Sequence, residues 1–143
     1  MAQSNTESPV SVQIENLDIR GFIDQSTSVA NYLGIPYASV PARFRQAVPV
    51  DPRQESGILE ATSYGPSCPQ PGDQPRGLRH HLFAGTGLSI PDGSPPSHVS
   101  DFSCLTLNIY TPAGTPSDAR LPVVVWIHGG GWNLGDGNAE YGE

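Results

Sequence analysis

Two runs near the amino terminus, Val10-Ser11-Val12-Gln13-Ile14 and Leu17-Asp18-Ile19-Arg20-Gly21-Phe22, alternate apolar and polar residues. A period of two puts the apolar side chains of a strand on one face. Only Glu15 and Asn16 separate the runs, so the pattern predicts a β-hairpin with one buried face. Residues 1–9 ahead of it are mostly polar and are expected to be disordered. Val29 to Leu33 predicts a further short strand, closed by Gly34 and Pro36. The prolines from Pro41 to Pro52 rule out a helix of any length and predict a surface excursion. Ile58 to Thr62 is ambiguous between strand and turn. Leu105 to Tyr110 alternates cleanly, with Leu105, Leu107 and Ile109 on one face of a strand. No long amphipathic helix and no internal repeat is visible.

The pattern changes at Leu121 to Trp132. Val123, Val124, Val125, Trp126 and Ile127 form an unbroken apolar, mostly β-branched run, which predicts a strand covered on both faces within a parallel or mixed sheet. Pro122 occupies the first strand position, where a missing amide donor does least harm. This strand is expected to neighbour the Leu105 strand in a central sheet. His128 and the glycines Gly129, Gly130 and Gly131 follow at once, so the backbone there can approach a ligand closely. A glycine loop released at the carboxyl end of a buried strand matches the place where open α/β sheets carry their chemistry.

At 143 residues the chain has the length of an ordinary domain. Seven basic against 14 acidic residues leave a net charge of −7, which argues against nucleic acid and anionic membranes as partners. Gly 16 and Pro 15 are abundant but stay below the composition at which disorder becomes the default. They concentrate between Cys68 and Cys104, the loosest stretch of the chain. Met1 to Ser8 holds no apolar signal core and no run is long enough to span a membrane, so a cytoplasmic location is expected. His80, His81 and His98 offer three imidazoles without a carboxylate or thiol at ligand spacing, so no metal site and no cofactor is expected.

Five segments, in order, resemble the type-B carboxylesterase/lipase family, which also holds the cholinesterases. Gly34-Ile35-Pro36-Tyr37-Ala38 is similar to its GIPYA signature, and Ala42-Arg43-Phe44 to the LRF that follows. Ala61 to Cys68 resembles its AT-x-YGP-x-C segment, and Cys104 to Pro112 its CL-x-LN-[VI]-YTP segment. His128-Gly129-Gly130-Gly131-Trp132 resembles the HGGG oxyanion loop of α/β-hydrolase esterases. The resemblance implies an incomplete α/β-hydrolase fold over residues 1–143, the β-rich N-terminal part of its central sheet, ending shortly after the oxyanion loop. It also implies that Cys68 and Cys104 form a loop-closing disulfide in secreted relatives; in a reducing cytosol both would be thiols. The stretch between them would overhang the mouth of the active-site gorge, where His80, His81 and Phe83 could line it or simply be solvated. One departure precedes Cys104: the family's acidic pair is Phe102-Ser103 here. Either Asp101 replaces it as the partner of Arg43 in a shifted register, or Arg43 lacks that partner.

The resemblance implies that Gly130 and Gly131 donate backbone N–H groups to the alkoxide formed when an ester carbonyl is attacked. One such donor is worth about 3–4 kcal/mol. Gly129 would permit the turn, while His128 and Trp132 would support the loop and wall the pocket. The catalytic serine of this fold sits on a G-x-S-x-G elbow later in the chain, followed by an acid and a histidine. No G-x-S-x-G occurs in the 143 residues, so nucleophile, acid and base are all missing and no catalytic residue is assigned. The nearest approach, Gly65-Pro66-Ser67-Cys68-Pro69, lacks a preceding buried strand. Two expectations follow. The chain is the N-terminal segment of a serine esterase or lipase, inactive alone and acting on a small-molecule ester when completed, with the missing C-terminal portion as a candidate partner. Alternatively, it is a non-enzymatic relic or a cholinesterase-like binding module.

Overall fold

The computed structural model describes residues 7–70, 98–129, 132 and 135–138. Every regular element among them is a strand: β1 (Glu7–Ile14), β2 (Asn16–Asp24), β3 (Val29–Pro36), β4 (Ala38–Ser39), β5 (Val48–Pro49), β6 (Ser56–Glu60) and β7 (Thr106–Pro112). β1 and β2 form the expected hairpin, with Ile14 opposite Leu17 and Glu15-Asn16 as its loop. Glu15 takes a left-handed φ of 50°, as the first position of a two-residue loop does when its twist matches that of the strands. The expected disorder over residues 1–9 is corrected at its far end. Glu7, Ser8 and Pro9 already pair with Asp24, Ile23 and Phe22, because β2 extends far enough to give them partners. Pro9 is tolerated because β1 is an edge strand.

β2 organises the sheet. β1 lines one of its edges, while the other edge is shared by two partners. β6 pairs parallel with Asn16 to Arg20, and β3 pairs antiparallel with Phe22 to Asp24. Ala61 closes the gap between them: its N–H donates to the Arg20 carbonyl at 2.7 Å and its carbonyl accepts from Leu33 N–H at 2.8 Å. The ambiguous Ile58 stretch is therefore a strand as far as Glu60. An open sheet edge decides the conformation of a short segment whose own preference is weak. Leu17, Ile19, Ala30, Tyr32 and Ala61 form the buried core, with Val10, Ile14, Ile23, Ile35 and Leu59 packed against it.

β3 runs past Leu33 to Pro36 and pairs antiparallel with β7, with a bulge between Tyr32 and Ile35. Gly34 lies in that bulge at φ +67°, where a Cβ would stand 2.7 Å from the Ser63 carbonyl oxygen and 2.9 Å from the Gly65 nitrogen. The glycine thus lets β3 press against the Ser63–Gly65 backbone. From Pro41 to Pro52 the chain is a surface excursion, held by the two-residue β4–β5 ladder. Arg43 finds Asp101, the first of the two alternatives, in a short ion pair. Cys68 and Cys104 are bonded, their Cα atoms 4.9 Å apart.

One expectation for the carboxyl-terminal strands is overturned. β7 alternates as the sequence predicts, with Leu107 and Ile109 on one face; that face is exposed, while Thr106 and Asn108 on the other are half-buried. Leu121 to Ile127 is not a strand, and no ladder joins it to β7. Val123 to Ile127 are 69% to 91% exposed. The reason is shared: an apolar face is buried only if another layer covers it, and no helix or second sheet among the described residues does so.

Candidate functional site

The glycine loop opens directly from the exposed Leu121–Ile127 segment. His128, Gly129 and Trp132 are described and exposed, while Gly130 and Gly131 lie outside the described residues. His128 Nδ1 is 2.8 Å from the Gly129 carbonyl oxygen, a hydrogen bond in the tautomer that protonates Nδ1. Trp132 adopts a left-handed φ of 65°, a conformation usually left to glycine, asparagine or aspartate. Further on, Gly135 (φ +92°) brings the chain back onto the start of the loop. A Cβ there would stand 2.5 Å from the Gly129 oxygen and 2.7 Å from His128 Nδ1.

Residues from elsewhere in the chain anchor this returning end. The Gln70 side-chain amide holds Gly135 at both backbone atoms, donating from Nε2 to its carbonyl at 3.0 Å and accepting its N–H at Oε1 at 3.1 Å. Ser67 donates its hydroxyl to Asp136 Oδ2 at 2.5 Å, and Asp136 Oδ1 accepts Asn138 N–H at 3.0 Å. Asn138 Nδ2 donates to the Gly65 carbonyl at 3.2 Å. Asn108 Nδ2 donates to the Gly137 carbonyl at 2.6 Å, while its Oδ1 takes the Gly34 N–H at 2.8 Å. Asn108 thereby links the β3 bulge to the end of the glycine loop. Sequence reasoning missed Gln70, Asn108 and Asp136. The available signals were the turn-forming run Gly135-Asp136-Gly137-Asn138 and an amide, Asn108, on the strand face opposite Leu107 and Ile109.

Ser67 is only 1% exposed. Its N–H donates to the His98 carbonyl and its own carbonyl accepts Ser100 N–H, both at 3.0 Å. The hydroxyl faces a carboxylate, so Ser67 is an anchor and not an activated nucleophile. The Tyr64 and Tyr110 hydroxyls lie 3.2 Å apart, and burial followed by this bond raises the Tyr110 phenol pKa above its ordinary value. His80, His81 and Phe83 lie outside the described residues. Among the described residues no three His, Cys, Asp or Glu side chains converge as a metal site requires. No helix among them is long and apolar enough to cross a membrane.

Comparison with known proteins gives the family. Residues 8–143 match the carboxylesterase family. The chain is 40% identical to carboxylesterase 1F of Mus musculus, over 85% of its own length and 20% of the relative's. It is 41% identical to pyrethroid hydrolase Ces2e of Rattus norvegicus, over 78% of the chain and 18% of that protein. Among solved structures, juvenile hormone esterase from Manduca sexta superposes with a TM-score of 0.62 at 31% identity, covering 90% of this chain and 22% of that one. A thermophilic PNB esterase gives 0.58 at 35% identity, covering 87% and 22%. The chain therefore spans about a fifth of the length of the proteins it matches. Over that fifth the identity and the fold agree: the chain belongs to the carboxylesterase family.

Proposed function

We propose that the chain supplies the oxyanion-binding part of a carboxylic-ester hydrolase of the serine type, built on an α/β-hydrolase sheet. The observation that carries this reading is His128-Gly129-Gly130-Gly131-Trp132, lying within the family match. In this reading the Gly130 and Gly131 N–H groups face the position where the carbonyl oxygen of a small-molecule ester becomes an alkoxide. Donors aimed there before reaction stabilise the developing charge without reorganising. Gly129 supplies the turn, and His128 and Trp132 support the loop. Nucleophile, acid and base come from sequence beyond these 143 residues. The one-fifth span of the relatives supports that division, as does the absence of a G-x-S-x-G elbow. The same remainder would flank Val123 to Ile127 and turn that run into a buried strand. No cofactor is required by this chemistry.

The 143-residue chain by itself is accordingly expected to show no serine-esterase turnover. An oxyanion hole without a nucleophile keeps only a small part of the catalysis. Hydrolysis of p-nitrophenyl acetate and labelling with a fluorophosphonate probe test this together. Stoichiometric labelling of a serine would overturn it; slow, sub-stoichiometric cleavage by a surface histidine would not.

A further inference from the structure

Gly135 to Asn138 is a turn docked through its polar atoms. Gln70 holds Gly135 at both backbone atoms, the buried Ser67 hydroxyl donates to Asp136 Oδ2, and Asn108 Nδ2 donates to the Gly137 carbonyl. Asn138 completes the turn, its N–H donating to Asp136 Oδ1 and its Nδ2 to the Gly65 carbonyl. Both oxygens of the Asp136 carboxylate are thus engaged. The residue that follows is a glycine the packing does not demand. A Cβ on Gly137 would meet nothing nearer than Asn108 Nδ2 at 3.9 Å, and its φ lies outside the left-handed region. What the glycine does supply is an unshielded peptide nitrogen next to a carboxyl group.

We propose that Asp136-Gly137 is a site of spontaneous aspartyl isomerisation, and that docking of the turn holds the reaction in check. In a free turn the Gly137 nitrogen attacks Asp136 Cγ. A C–N bond forms, a Cγ–O bond breaks, and the oxygen leaves as water with the amide proton and the carboxyl proton. Water then adds to one carbonyl carbon of the succinimide ring. Opening at the Asp136 backbone carbonyl leaves the chain running through Cβ and Cγ, an isoaspartyl residue of unchanged composition. In the docked turn, expelling either oxygen means first giving up the bond from Ser67 or the bond from Asn138. The isoaspartyl backbone is one methylene longer and carries its carboxylate directly on Cα, so the paired bonds to Ser67 and Asn138 are lost. The modification is a lasting mark of undocking. Nothing in this chemistry depends on the ester-hydrolase reading.

The full 143-residue chain is held at micromolar concentration, neutral pH and body temperature, beside the capped tetrapeptide Gly-Asp-Gly-Asn. Succinimide turnover at residue 136 is followed by mass spectrometry as uptake of heavy oxygen from labelled water, with the isoaspartyl product identified by fragmentation. The tetrapeptide is expected to react at least about tenfold faster than the chain. Ser67→Ala removes the donor to Asp136, and Asn108→Asp removes the donor to Gly137 while keeping the acceptor for Gly34 N–H. Both should speed the reaction severalfold while amide exchange in β2 and β3 stays slow. Should Ser67→Ala release the sheet, Asn108→Asp decides, and the comparison of the parent chain with the tetrapeptide needs no variant. Gly137→Ala leaves the docking bonds in place and should slow the reaction in each of these backgrounds. A parent chain that isomerises as fast as the tetrapeptide overturns the proposal, as do variants with an intact sheet that isomerise no faster than the parent.

Discussion

Gly34 shows how a single side chain, or its lack, sets the local architecture. Its left-handed φ and the Ser63 and Gly65 backbone packed against it leave no room for a methyl group. Gly34→Ala should destabilise the chain by about 2–3 kcal/mol, read as a lower urea midpoint with an unchanged slope. Asp24 works through charge. The Ser26 and Thr27 hydroxyls and the Ser26 N–H donate to its carboxylate, which closes the turn between β2 and β3. Those bonds, Ser26 first, hold its pKa below the ordinary carboxylate value. A depressed folded-state pKa means the contribution is complete above the unfolded-state value and disappears as pH falls through the folded one. Amide exchange at Ser26 and Ser28 is therefore expected to quicken, relative to the core of β2, only on strong acidification. An Asp24→Asn variant should show no such acid step. At Arg43 the sequence left two alternatives, because nothing local fixes the register of a residue 58 positions away; the fold settles them in favour of Asp101.

Among the elements, those that depend on local period and a short gap were legible, and those that depend on a distant partner were not. The hairpin followed from alternation on both sides of Glu15-Asn16. β6 did not, because its conformation is decided by the free edge of β2. The motif glycines marked the candidate site, but its anchors did not stand out, since Gln70 and Asn108 meet the loop from 65 and 29 residues away. The disulfide is the strongest tie between these separated parts. Closing a loop across 36 residues stabilises by about 4 kcal/mol in the chain-entropy model. Replacing both Cys68 and Cys104 with serine should lower the melting temperature and, through Ser67 and Gln70, loosen Gly135 more than β1. Equal loosening of both would confine the bridge to a global role.

Among the described residues of the whole molecule, one side of the sheet is uncovered. Leu107 and Ile109 on β7 and the run Val123 to Ile127 leave apolar surface in water. An uncovered, uncharged, β-branched segment is a template for pairing between molecules. The isolated chain is expected to aggregate with rising concentration, and Val124→Lys to raise the soluble, monodisperse fraction in sedimentation velocity. A folding defect in that variant, or a monodisperse parent chain, would mean that Val124 is covered after all. The bridge has one more consequence, for chain continuity. Everything from Pro69 to Ser103 leaves and re-enters the sheet through two Cα atoms 4.9 Å apart, with Ser67 and Val99 paired beside them. A backbone nick anywhere in that interval leaves one covalent molecule, with β3 and β7 still in register. Changes of length there are therefore expected to leave β3 and β7 paired, which makes the interval the natural seam of this chain for an inserted sequence or for a new pair of termini.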